Sequence, residues 1–165
     1  MNAEGMHVAN VGDSKAVVIR GDETFALNVE HRANNEEEKS RVENRGGVVF
    51  EKKGRTTSRF LVQGALELTR SIGDISYKQF ISSEPDVLNY KFDSNDEYII
   101  LASDGFWNEV DEKELINLVR AFGQTNGLSS HLIEEVLKRK HYNIDNITMI
   151  VIDLKRYKEL NLRAI

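Results

Sequence analysis

The segment that most constrains the fold is the apolar run Tyr98-Ile99-Ile100-Leu101-Ala102-Ser103, which leads straight into Asp104-Gly105-Phe106-Trp107. A short apolar run bounded by a glycine reads as a strand buried on both faces. Such a strand must lie between two layers and ends where solvent begins. An acid at that exit stands on a rigid element and faces water, which suits a carboxylate that holds a cation. A second acid recurs at Asp145-Asn146, just before the apolar run Ile147-Thr148-Met149-Ile150-Val151-Ile152. Two aspartates at the rims of two core strands point to a site for a hard cation.

The rest of the chain reads as strands first and helices later. Met6 to Val11, Ala16 to Arg20 and Thr24 to Asn28 form a meander joined by Gly12-Asp13-Ser14 and Gly21-Asp22. Asn35, with Glu38 three residues on, predicts a capped helix over Glu36 to Asn44, stopped by Gly46-Gly47. The run Glu36-Glu37-Glu38 is expected to be a solvated first turn that complements the helix dipole. Short strands are expected at Val48 to Phe50, Phe60 to Val62 and Leu66 to Leu68, with Lys52 to Arg59 a loop or loose hairpin. Val87 to Phe92 alternates as an edge or half-buried strand does. Asp111 and Glu114 cap a helix with Leu115, Ile116, Leu118, Val119 and Phe122 on one face, and Gly123 ends it. Ser130 is the expected cap of a second helix with Leu132, Ile133, Val136 and Leu137 inward, and Lys155 to Ile165 is a charged tail with helical character. No repeat or composition break divides the chain. The fold class is therefore α+β, one unit with mainly antiparallel sheets.

Composition removes several functions. The 165 residues carry a formal charge of −5, and no basic cluster with interleaved aromatics occurs, so no nucleic-acid partner is expected. The longest apolar stretches have strand length, so no membrane partner is expected either. There is no Cys, which rules out thiol nucleophiles, disulfides and Cys-rich zinc sites within the chain. Met1 to Gly5 lacks a signal pattern, and an intracellular location, cytoplasmic or nuclear, is the expectation. No P-loop or G-x-S-x-G elbow is present. His7, His31, His131 and His141 lack metal-ligand spacing and read as surface or packing residues. Singly, Asp13, Asp104 and Asp145 are each compatible with ordinary turn chemistry, and Trp107 with core packing.

In order, these segments resemble the type 2C metal-dependent serine/threonine protein phosphatases. The resemblance rests on Gly12-Asp13-Ser14, Gly64-Ala65-Leu66-Glu67-Leu68-Thr69-Arg70-Ser71-Ile72-Gly73-Asp74, Glu84-Pro85-Asp86-Val87, Ile100 to Trp107, and Asp145-Asn146-Ile147-Thr148. It is reinforced by Glu30-His31-Arg32 and by Arg41-Val42 with Gly46-Gly47. It implies a portion of a two-sheet antiparallel β-sandwich flanked by helices, with Mn²⁺ or Mg²⁺ in a cleft and a phosphoprotein as substrate or binding partner. By position, Asp104 and Asp145 match two carboxylates of a catalytic metal, and Asp13 matches the acid of a weaker additional site. The stretch from about 33 to 64 matches the family's variable flap. Residues 1–165 match the C-terminal part of the family's catalytic domain, and the Asp-Gly-His-Gly segment that supplies a bridging ligand upstream does not occur in them. Asn108 stands where the family usually has a second Asp, which weakens the additional site. The resemblance thus implies a partial catalytic domain with weak metal binding and little activity by itself, and self-association through exposed strand edges. A non-catalytic phosphatase-like binding or regulatory module is the alternative.

Overall fold

The computed structural model describes residues 5–54, 58–124, 126–139 and 145–162. His141 and the last three residues of the charged tail lie outside them. The chain divides into two compact units: 1–8, 14–28 and 87–165 form the first, and 9–13 and 29–86 the second.

The first unit is built on an antiparallel sheet. Its strands are β2 (Lys15–Arg20), β3 (Glu23–Ala26), β7 (Asp96–Ala102) and β8 (Met149–Asp153), in the order β3-β2-β7-β8. β7 pairs with β2 on one side, Val17 opposite Ile100, and with β8 on the other, Val151 opposite Ile100. The expected double-sided burial is real. Ile100 and Ala102 join Val17 and Ile19 under the helices α3 (Glu112–Phe122) and α4 (Leu128–Leu137), while Ile99 joins Ala16 and Val18 on the opposite face. That second face is covered by Met6 and Val8 of β1 (Gly5–Asn10), Tyr90 of β6 (Asp86–Lys91), and the fully buried Leu154 that opens α5 (Leu154–Leu162). β1 and β6 form their own two-stranded sheet, so two β layers enclose one core and the two helices close the other. The class is the α+β, antiparallel one that the sequence predicts, but β1 pairs with β6 and not with β2, so the expected meander of the first three strands does not form. No described helix is long and apolar enough to cross a membrane.

Local chemistry explains the helix limits. Asp111 accepts from Glu114 N at 2.8 Å to open α3, and Gly123, with φ of 67°, ends it in the left-handed region. α4 is capped by Gly127, which takes φ of 81°, three residues before the expected cap Ser130. α2 (Asp104–Trp107) is a single turn that the sequence reads only as a loop. Its Gly105 is completely enclosed: a Cβ there would sit 2.5 Å from the Asn146 carbonyl oxygen and 3.1 Å from that of Asp145.

In the second unit, α1 (Glu36–Asn44) starts where predicted, with Asn35 Oδ1 accepting from Glu37 N and Glu38 N. It packs near a hairpin of β4 (Val49–Lys53) and β5 (Ser58–Val62), so of the loop or loose hairpin expected over Lys52 to Arg59 the hairpin is what forms. Leu66 and Leu68 make only isolated bridges, to Val62 and Arg32. A small core of Ala33, Val42, Val62 and Ile81 fills this unit.

One expectation fails outright. Glu38 is not solvated but only 3% exposed, and Arg70, at 1%, lies against it. Arg70 donates to both Glu38 carboxylate oxygens, at 2.9 and 2.5 Å, and to Asp86 Oδ1 at 2.8 Å. Thr69 Oγ1 also donates to Glu38, at 2.7 Å. Helical position decides the difference: Glu38 lies one turn before Val42 on the buried face, whereas Glu36 and Glu37 are not buried. Burial pushes the Glu38 carboxyl up, but hydrogen bonds from Arg70 and Thr69 outweigh it and hold the group below its usual range.

Two outcomes follow. A carboxyl with a depressed folded pKa stabilises the fold above its unfolded value, near 4.5, and loses that contribution as pH falls through the folded value. Glu38→Ala should therefore cost about 3–5 kcal/mol at neutral pH, because it strands a buried guanidinium, and should flatten the acid limb of the stability curve. Urea unfolding across pH checks this; parallel acid limbs in variant and wild type would refute it. Gly105→Ala should cost about 1–3 kcal/mol by forcing a methyl into backbone, measured by thermal unfolding.

Candidate metal centre

β7 ends at Ala102, and Ser103 then ties the strand exit to the segment that carries Asp145. Ser103 N donates to Thr148 O at 3.0 Å, its Oγ donates to Asn146 O at 3.1 Å, and Thr148 N donates back to the Oγ at 3.0 Å. Gly105 completes the clamp, since only a residue without a side chain lets α2 rest on the carbonyls of Asp145 and Asn146. The backbones bearing Asp104 and Asp145 are therefore adjacent. The sequence places both acids at strand rims; the clamp that joins the rims is visible only in three dimensions.

The surroundings suit a hard cation. Asp104 is partly buried, Asp145 is exposed, and the nearby groups are oxygen donors. Asp145 Oδ1 accepts from Asn146 N at 2.7 Å, which orients that carboxylate. Asn108 stands one helical turn after Asp104: its N–H donates to Asp104 O at 2.8 Å, and its side-chain amide approaches Asp104 Oδ2 at 3.5 Å. Trp107 Nε1 donates to the carbonyls of Lys15 and Ala102, at 3.0 and 3.1 Å, with Lys15 Nζ 5.3 Å from the indole centroid. Trp107 thus pins α2 onto the ends of β2 and β7, a more specific role than core filling.

Among the described residues, no cluster of three or more His, Cys, Asp or Glu side chains has metal-binding geometry. Carboxylate oxygens and water are the ligands that an ion of the Mg²⁺ or Mn²⁺ kind takes, and Asp104 and Asp145 are of that type. They do not amount to an all-protein cage for two.

Asp13 belongs to the second unit. It follows Gly12, whose φ of 109° favours glycine, and its Oδ2 lies 3.1 Å from Arg32 Nη2. Arg32 also approaches Glu30 at 3.3 Å and Glu67 at 3.6 Å, so an acidic set surrounds it. The sequence offers no signal for this pairing beyond the mix of charges.

Comparison with known proteins identifies the family of the chain. A family model described as Protein phosphatase 2C matches residues 1–145. The chain is 36% identical over 159 residues to "Probable protein phosphatase 2C 32" of Oryza sativa subsp. japonica, covering 93% of this chain and 39% of that protein. It is 37% identical over 145 residues to "Probable protein phosphatase 2C 58" of Arabidopsis thaliana, covering 88% and 49%. The chain therefore spans half or less of the length of these curated relatives. Among solved structures, a C. elegans sex determining protein superposes with a TM-score of 0.82 at 28% identity, over 96% of this chain and 40% of that one. A serine-threonine phosphatase 2C from Toxoplasma gondii superposes with a TM-score of 0.70 at 23% identity, over 89% and 54%, and shows the shared fold. With the strand-exit aspartate, its clamped partner and a family match across most of its length, this chain belongs to the protein phosphatase 2C family.

Proposed function

We propose that this chain carries part of the catalytic apparatus of a metal-dependent protein serine/threonine phosphatase. Asp104 and Asp145 hold one divalent cation, and Asp13 contributes to a weaker additional site. The observation that carries the reading is the clamp through Ser103 and Gly105, which joins two acids 41 positions apart at adjacent strand rims. A strand exit accepts many polar residues; a carboxylate on each side of an enforced backbone contact suits a cation.

A bound Mn²⁺ or Mg²⁺ supplies Lewis-acid activation of water and charge neutralisation for a phosphate ester. The chain's residues position that chemistry. β7, paired on both sides, fixes Asp104; Ser103 fixes the backbone that presents Asp145; Trp107 holds α2 against the ends of β2 and β7. Within the second unit, Arg32 orients the Asp13 carboxylate, and the segment from about 33 to 64 has the place of a flap that influences substrate choice. The substrate class is a phosphoserine- or phosphothreonine-bearing protein.

Asn108 favours a second reading, a phosphatase-like binding module. Its amide faces the Asp104 carboxylate where a further acid would add charge, and an amide binds a divalent ion more weakly.

Calorimetric titration with Mn²⁺ separates the readings. Wild type should bind one ion weakly, and Asp104→Asn and Asp145→Asn should each abolish the heat; unchanged binding in both would sink the assignment. Hydrolysis of p-nitrophenyl phosphate by the 165-residue chain in Mn²⁺ should be slow, since two carboxylates hold a single ion. Turnover at an ordinary enzymatic rate of about 1 per second or more, lost in Asp104→Ala, would show instead that the chain is self-sufficient.

A further inference from the structure

The metal-site reading makes no use of the buried polar groups of the second unit, His31 among them. His31 has no solvent exposure, lies outside the Asp104–Asp145 site and reads from the sequence only as a surface or packing residue. Its ring is held at both nitrogens. Gly12 N donates to Nδ1 at 3.1 Å, so Nδ1 carries no hydrogen and Nε2–H is the donor toward Asp86 Oδ2, at 3.1 Å. The backbone adds a second hold on the same residue pair, since His31 N donates to Gly12 O at 3.0 Å. Gly12 immediately precedes Asp13, and Arg32, next to His31, is the partner of the Asp13 carboxylate.

Behind His31 stands a chain of charged groups. Asp86, which accepts from His31, also accepts from Arg70 at 2.8 Å, and Arg70 is clasped by Glu38. His31 O in turn accepts from Thr69 N at 2.9 Å, and Thr69 Oγ1 reaches Glu38. A loop peptide such as Gly12, with φ of 109°, has no strand partner to hold it; here an imidazole supplies the acceptor.

We propose that His31 is a positioning residue for the Asp13 turn, locked by the Glu38–Arg70–Asp86 chain, and that it thereby sets the affinity of Asp13 for a divalent cation. The proposal rests on the cation reading given above for Asp13, and it adds the anchor that makes that carboxylate rigid. Ordering a loop before it binds lowers the entropic cost of binding, so a loosened turn weakens the site without removing any ligand. The role belongs to the imidazole's two-sided hydrogen bonding and not to its bulk.

Amide exchange and Mn²⁺ broadening, both read by NMR on the ¹⁵N-labelled chain, test it. In His31→Leu the Gly12 amide should exchange about tenfold faster while amides of β7 keep their protection, as loss of one local hydrogen bond predicts. The Mn²⁺ concentration that half-broadens the Asp13 amide should rise severalfold. His31→Gln, whose amide can accept from Gly12 and donate to Asp86, should restore both. Should His31→Leu fail to fold, Asp86→Ala serves in its place: its side chain is half exposed, and its loss unlocks the ring without emptying the core. Unchanged Gly12 exchange in a folded variant overturns the proposal, as does an unchanged Mn²⁺ response at Asp13 when wild type responds. No Mn²⁺ response at Asp13 in wild type overturns the cation reading and leaves Gly12 exchange to decide the anchor.

Discussion

The first unit depends on the burial of β7 on both faces. Because Ile100 and Ala102 point into one core and Ile99 into the other, neither face of the strand can be left to solvent, and its register is set by both layers at once. β2 and β8 pair with it along its edges, and α3, α4 and the β1–β6 layer close the two sides. Beyond the buried Ala102 the strand ends, and Ser103 and Asp104 are partly exposed there.

The second unit solves a different problem. It has a small apolar core, and it buries a guanidinium and a carboxylate beside it. Such a pair stabilises little by itself, because desolvation offsets much of the attraction, but breaking it is costly. Its value lies in direction. Arg70 must meet both Glu38 on α1 and the Asp86 carboxylate, which leaves Asp86 oriented toward His31. Rigidity is thereby passed by hydrogen bonds to the Gly12-Asp13 turn.

Much of this was legible in advance, and the misses share a cause. Strands, the limits of α1 and the cap of α3 follow from periodicity and capping, which act over a few residues. Gly127 displaced the expected start of α4, because a left-handed glycine competes with a serine cap and only the backbone path decides between them. Glu38 looked like one of three equivalent acids, yet the helix face it occupies and a guanidinium 32 positions away made it a buried partner. His31 lies in a segment that supports the family resemblance, but nothing in the sequence shows its partners; they are Gly12 and Asp86, far from it in sequence. Residue type and spacing encode local preference, and long-range partners are invisible to both.

By itself, then, the sequence determined the α+β class, the family resemblance and the two strand-rim acids, because apolar period, turn chemistry and ordered motifs are local properties. Only the tertiary structure decided that Ser103 and Gly105 bring the rims of β7 and the Asp145 segment into contact, and that Glu38, Arg70, Asp86 and His31 form one chain of bonds. The physical reason is the same in both cases. Close backbone approach and burial of paired charge depend on which surfaces meet when the layers pack, and that is a property of the fold as a whole.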